Sequence, residues 1–346
     1  MWAVLSDELA ALVHGGSLIG CGRRDAGLGW EVVRILMLGG NGFVGRAVVD
    51  DALAQGAAVA SFSRGLSGTT LPSEVTQLVG DRDTGDYEAL RTGEWDAVVD
   101  LSGFQTKQVD EVMDVLGDRV GRYVFISSHA VYVRDLPAGT DETAPRRPPM
   151  RAADVLTNET YGPCKVACED DVVERYGDRA TIVRPGRVTG PGDSSGTALY
   201  WIRRGARGGR VALPTKPEAP LQLVDCRDVA RLVVQLITDE RLGAYNAIGP
   251  ESTIAELIET AADLSGTTVD IIPIPFDAVP PRFPLIDPQA EWGERRRNPA
   301  KARAAGMSVT PLRQTVADVL TWDEARGKPD LTIGLTPEEE AKLLAD

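Results

Sequence analysis

Arg34-Ile35-Leu36-Met37-Leu38-Gly39-Gly40-Asn41-Gly42-Phe43-Val44-Gly45-Arg46 is the stretch that decides the fold of this chain. The apolar run from Ile35 to Leu38 reads as a buried parallel strand. A helical pattern of Phe43, Val44, Ala47, Val48 and Ala52 follows at once. Between them the glycines are spaced Gly39-x-x-Gly42-x-x-Gly45. Glycines at such a junction let the backbone turn sharply and approach a pyrophosphate, whose charge is met by the N–H groups and dipole of the helix start. The stretch predicts a dinucleotide cradle, with Gly39, Gly42, Phe43, Val44 and Gly45 against the cofactor.

On its C-terminal side strands and helices alternate. A second strand over 56–64 ends at Ser63-Arg64. NAD-preferring sites carry an acid at this place for the ribose 2′-hydroxyl, whereas an arginine accommodates a 2′-phosphate. Ser63 and Arg64 therefore favour NADP(H) over NAD(H), with Arg46 as a second cation. A third strand over 75–79 ends at Gly80-Asp81, and a fourth over 97–101 ends at Ser102-Gly103. Parallel strands hold ligands at their carboxyl ends, so Asp81, Leu101, Ser102 and Gly103 are expected beside the adenosine and pyrophosphate. A fifth strand over 123–126 leads into Ser127-Ser128-His129-Ala130-Val131-Tyr132. The Pro-rich, charged loop over 134–153 is a candidate lid. Tyr161-Gly162-Pro163-Cys164-Lys165 opens a helix running towards Tyr176, and a sixth strand over 180–184 precedes Pro185-Gly186-Arg187.

The pattern predicts an α/β protein: a Rossmann-type doubly wound parallel sheet with a smaller C-terminal α/β substrate lobe. Residues 34–190 form the first domain and 191–346 mainly the lobe, with 222–250 returning to the Rossmann domain. Residues 1–33 are an N-terminal extension: a short helix over 5–13 with a Gly-rich linker, or sequence outside the fold. Residues 222–228 read as a short strand before a helix over 229–237. Thr253 to Glu256 and Thr336 to Glu339 are capping boxes that open helices. The Pro-rich stretch 268–290 suits irregular pocket walls, with Phe276, Phe283 and Trp292 in its neighbourhood as an apolar surface or as core.

Composition narrows the partners. The chain has 346 residues, 43% hydrophobic and 25% charged, enough for a sizeable core. A formal charge of −14 disfavours nucleic acid and anionic membranes, which are met by basic patches. Cys21, Cys164, Cys168 and Cys226 show no CxxC pair, and with His14 and His129 the only histidines no metal site is expected. No run reaches the ~20 apolar residues that span a bilayer, so a cytoplasmic protein is expected.

The chemistry lies in three residues past the fifth strand. Tyr161 and Lys165 are one helical turn apart and share a face. A hydride joining or leaving carbon must be matched by a proton on its oxygen, and a phenol with pKa ~10 is a poor base unless an ammonium stands near. Ser128 supplies a hydroxyl to the substrate oxygen. Gly39-x-x-Gly42-x-x-Gly45, Asp81, Ser127-Ser128-x-x-Val131-Tyr132, Tyr161-x-x-x-Lys165 and Arg184-Pro185-x-x-Val188-x-Gly190-Pro191 together resemble the extended short-chain dehydrogenase/reductase superfamily, its NAD-dependent epimerase/dehydratase group, over about residues 34–250. The resemblance implies Tyr161 as acid/base, Lys165 as the residue that lowers its pKa and binds the nicotinamide ribose, and Ser128 as donor to the substrate. It also implies Pro185 at the cofactor and a homodimer through the fourth helix and the Tyr/Lys-bearing helix.

Departures from the family pattern narrow the activity. Dehydratases of that group follow the Ser/Thr with Asp-Glu, where His129 and Ala130 stand here. Nucleotide-sugar epimerases carry an arginine for the diphosphate where Leu221 stands. An NADP(H)-dependent oxidoreductase acting on a small molecule is expected. The alternatives are an epimerase without net redox change and a non-catalytic cofactor-binding or RNA-associated protein. His129 and Arg187 are expected to line the substrate pocket, His129 with a second acid/base role as its alternative.

Overall fold

The computed structural model describes residues 32–66, 70–281 and 283–345. All but the last two residues of the expected N-terminal extension lie outside the described residues. The elements run β1 (Arg34–Leu38), α1 (Phe43–Ala54), β2 (Ala58–Ser63), β3 (Thr76–Val79), β4 (Trp95–Asp100), α2 (Thr106–Leu116), β5 (Val120–Ile126), α3 (Tyr161–Tyr176), β6 (Ala180–Pro185) and β7 (Arg187–Thr189). They continue through α4 (Thr197–Arg207), β8 (Gly209–Leu213), β9 (Pro220–Leu221), β10 (Leu223–Asp225), α5 (Cys226–Thr238), β11 (Gly243–Ala247), β12 (Ser252–Thr253), α6 (Ile254–Leu264), β13 (Val269–Pro273), α7 (Ala300–Ala304), α8 (Leu312–Ala325) and α9 (Pro337–Leu343).

Seven parallel strands form one sheet in the order β11-β6-β5-β4-β1-β2-β3. The chain reverses direction across the sheet between β1 and β4, the switch point where doubly wound folds bind ligands. Alternate side chains of each strand feed two cores. Ile35, Met37, Val99 and Val124 pack under α1 and α5, while Leu36, Leu38, Val98, Tyr123 and Phe125 pack under α2 and α3. Burial on both faces explains the near-continuous apolar runs in these strands. A third core joins α4, α6 and α8 with β8 and includes Leu221 and Phe283.

The fold departs from the sequence pattern at two places. The strand expected over 222–228 is cut short at Asp225, whose carboxylate accepts from the Arg227 N–H and so starts α5. The stretch 268–290 opens with a regular strand, β13, paired in parallel with β8. The loop 134–153 is tied to the later half of the chain: Glu142 accepts from the Asn246 N–H, and Thr140 from Arg297.

The turn after β1 needs its glycines. Gly39 has φ +94, a left-handed backbone that side chains rarely adopt, and a Cβ on Gly45 would stand 2.4 Å from the Gly39 carbonyl oxygen. Beside it, Arg82 and Asp100 form a buried bidentate pair at 2.7 and 2.9 Å. The guanidinium also donates to Ser102 Oγ and the Gln108 carbonyl, and Asp100 accepts from Tyr123 OH at 2.7 Å. Burial by itself would raise the Asp100 carboxyl, but Arg82 and Tyr123 outweigh it and hold it below the usual carboxylate range. Removing one partner strands the other charge in the core. We predict that Arg82→Met lowers unfolding free energy by about 3–5 kcal/mol in urea titration, and that Arg82→Met with Asp100→Leu recovers part of it.

Candidate active site

The glycine turn, the carboxyl ends of β4, β5 and β6, and the start of α3 enclose one cleft of about 310 Å³. Its walls are Gly39, Gly42, Phe43, Val44, Gly45, Leu101, Ser128, Tyr161, Lys165 and Pro185, all expected from the sequence, with Phe104, Ile126, Ser127, Gly186 and Val188 in addition. Ser127 lies directly before Ser128, and its buried Oγ has no hydrogen-bond partner. A cradle that a Cβ would fill, walled by a hydroxyl and a phenol, fits a dinucleotide.

Ser128 caps a single 3-10 turn, its Oγ accepting from the Ala130 N–H at 3.1 Å. Tyr161 is the first residue of α3 and Lys165 lies one turn further on. Burial raises the Tyr161 phenol above its ordinary value, and a hydrogen bond with Ser128 draws it back down. Lys165 is 1% exposed. Its ammonium donates to the carbonyls of Gly103 and Ile126, both at 2.7 Å, and sits 4.0 Å from the centre of the Phe125 ring. Burial pushes this amine down to about 8, against the pull of Asp100 and Glu169.

Five of the expected cofactor residues stand outside the cleft walls. Gly103 contributes through its carbonyl to Lys165, and Ser102 lies against Gly39 while accepting from Arg82. Asp81 spends a carboxylate oxygen on the Asp83 N–H, in a turn bridged to Asp86. Ser63 accepts from the Gly65 N–H, and Arg64 is exposed and 3.8 Å from Asp83. Arg46 pairs with Asp50 and donates to the Thr70 carbonyl. His129 and Arg187 line a smaller neighbouring cavity that shares Gly186 with the cleft. Burial, then Arg187, Arg295 and Arg297, push the His129 imidazole down to about 3, so it is neutral at physiological pH.

Residues 35–248 match the sequence profile of the NAD dependent epimerase/dehydratase family. The chain belongs to that family. Membership makes it an enzyme of an NAD-dependent class. A 3-beta-hydroxysteroid dehydrogenase of Mycolicibacterium neoaurum is 28% identical over 197 residues, 49% of this chain and 52% of that protein. The chloroplast stem-loop binding protein of 41 kDa b of Arabidopsis thaliana is 24% identical over 224 residues, 60% of this chain and 56% of that protein. The chain thus spans little more than half the length of these curated relatives. The fold is similar to that of the UDP-glucose 4-epimerase of Thermus thermophilus, solved in complex with NAD, at TM-score 0.63 and 20% identity, covering 86% of this chain and 100% of that one. Among the described residues no helix is long and apolar enough to cross a membrane.

The pKa directions set a pH profile. An ammonium lowered to about 8 is charged below that pH and neutral above it, so a rate that needs the charged form falls with a midpoint near pH 8. Lys165→Arg should remove this falling limb, because a guanidinium stays charged. No step between pH 5 and 7 is expected, since His129 does not titrate there.

Proposed function

We propose that this enzyme is an NADP(H)-dependent oxidoreductase that reduces a carbonyl, or oxidises an alcohol, on a small molecule held between the Rossmann domain and the lobe. The observation that carries this is the convergence of Ser128, Tyr161 and Lys165 on the cleft that the glycine turn opens. The turn and the N-terminus of α1 hold the pyrophosphate, and Lys165 and Pro185 face the nicotinamide end. When bound, the dinucleotide supplies or accepts the hydride. Ser128 donates to the substrate oxygen and fixes its place. Tyr161 delivers its proton to that oxygen, and its raised pKa keeps it a phenol at neutral pH, which suits the reductive direction.

The preference for NADP(H) is supported by Ser63 and Arg64 where an acid would select NAD(H). Among the described residues Arg64 meets only an exposed carboxylate at 3.8 Å, an ion pair of little worth that a 2′-phosphate can replace. Within this proposal the protein is cytoplasmic, in keeping with the free, buried Cys164, Cys168 and Cys226, and pairs with a second copy through α3, where Val173 stands half-exposed.

An epimerase would use the same three residues and show no net change in reduced cofactor. The fold shared with UDP-glucose 4-epimerase favours that second reading. Leu221, buried in the lobe core where nucleotide-sugar epimerases carry an arginine, speaks against a nucleotide-sugar substrate. The likeness to a stem-loop binding protein raises RNA association, which a charge of −14 disfavours.

Titration with NADPH and NADH should give the tighter Kd for NADPH, and Arg64→Glu should erase at least about tenfold of that preference, the worth of one charge-assisted contact. Equal or tighter binding of NADH by the parent removes the preference. Tyr161→Phe should lower turnover by about 10²-fold or more while the cofactor Kd stays within a few fold. An unchanged rate removes Tyr161 from the chemistry.

A further inference from the structure

The cavity beside the cleft is lined by His129, Gly186, Arg187, Pro220, Gln222, Ile248 and Arg295. This space shares Gly186 with the cleft that Ser128 and Tyr161 line. Arg187 and Arg295 line the cavity with the imidazole, and Arg297 acts on it as well. Arg187 reaches Asp287 at 2.6 Å and the Leu285 carbonyl at 3.2 Å. Leu285 has φ +59, a left-handed backbone that a branched side chain adopts only under constraint. Arg295 shares Asp287 at 3.2 Å and also meets Glu291 and Glu294.

Arg297 is different. It is 4% exposed, donates to Thr140 Oγ1, and lies 5.0 Å from the centre of the Tyr132 ring. Among the described residues no carboxylate stands within salt-bridge distance of it, and its Nε has no hydrogen-bond partner. A buried guanidinium without a counter-ion carries a desolvation penalty of several kcal/mol. The charged groups that act on His129 are all arginines.

We infer that this cavity is a subsite for a carboxylate carried by the substrate, held by Arg187 and Arg295 within the field of Arg297. Taking Ser128 and Tyr161 as the reacting pair, as proposed above, the carboxylate anchors the molecule so that a nearby carbonyl oxygen meets their hydroxyls. About 10 Å³ of free space is room for one water-sized group, such as one oxygen of a carboxylate. The substrate class is therefore an oxo acid or hydroxy acid.

The test uses the full chain labelled with 15N-histidine, where His129→Asn identifies the His129 signals and His14 is the only other histidine. Acetate should shift the His129 ring signals saturably at constant ionic strength, and the neutral isostere acetamide should not. Arg295→Met and Arg187→Met should each weaken acetate at least tenfold, with the NADPH Kd within twofold as the check on folding. Equal shifts from acetate and acetamide overturn the subsite, as does acetate binding that survives both substitutions or inorganic phosphate binding more tightly than acetate. In parallel, 2-oxo and 3-oxo acids are compared with their methyl esters by NADPH oxidation. A kcat/KM at least tenfold higher for the acids supports the subsite. Reduction of the esters in preference overturns it and leaves the Ser-Tyr-Lys proposal standing. Acetate binding with no NADPH oxidation by any member of the set supports the subsite and removes the redox proposal.

Discussion

A buried ammonium joins the two strands and one helix that make the heart of the cleft. Lys165 enters from α3 and donates to the Gly103 carbonyl just past β4 and to the Ile126 carbonyl that ends β5. Both bonds are 2.7 Å, and the face of Phe125 lies against the charge. A lysine placed this deep loses most of its hydration, so it survives charged only where fixed carbonyls and an aromatic face replace the water. The same contacts bring Tyr161, one turn earlier on α3, next to Ser128. Position and protonation of the site are thus set by one desolvated cation.

The Arg82–Asp100 pair supports this arrangement from the same face of the sheet, beneath α2. Asp100 holds the Ser102 N–H at 3.0 Å, so the Leu101 to Gly103 segment cannot swing away from the glycine turn. Tyr123 on β5 closes the network from below through its bond to the same carboxylate. Two charged devices, one amine and one ion pair, therefore fix the carboxyl ends of adjacent strands. Residues that line the cleft gain their precision from neighbours that do not line it.

Much of this was legible in the sequence because it is local. A strand, a glycine turn and a helix occupy 21 consecutive residues from Arg34 to Ala54, and their chemistry is visible in their spacing. Ser128, Tyr161 and Lys165 belong to equally compact motifs. Arg82 was hidden next to Asp81, because a buried ion pair across 18 residues leaves no periodic trace. Arg295 and Arg297 were harder still. They lie in an irregular segment more than 160 residues beyond Ser128, and only the folded chain brings them to His129. Phe283 went into the lobe core beside Tyr200 and Trp201, while Phe276 stayed on the surface, a division that hydrophobicity alone does not decide.

Under the proposed function this cleft moves a hydride to carbon with net consumption of cofactor, and Tyr161 supplies the matching proton. The most direct measurement follows deuterium from C4 of labelled NADPH into the product by mass spectrometry, with oxidised cofactor counted in the same sample. We predict one deuterium in each product molecule and one oxidised cofactor for each turnover. Product that forms without label, at a constant amount of reduced cofactor, would contradict it.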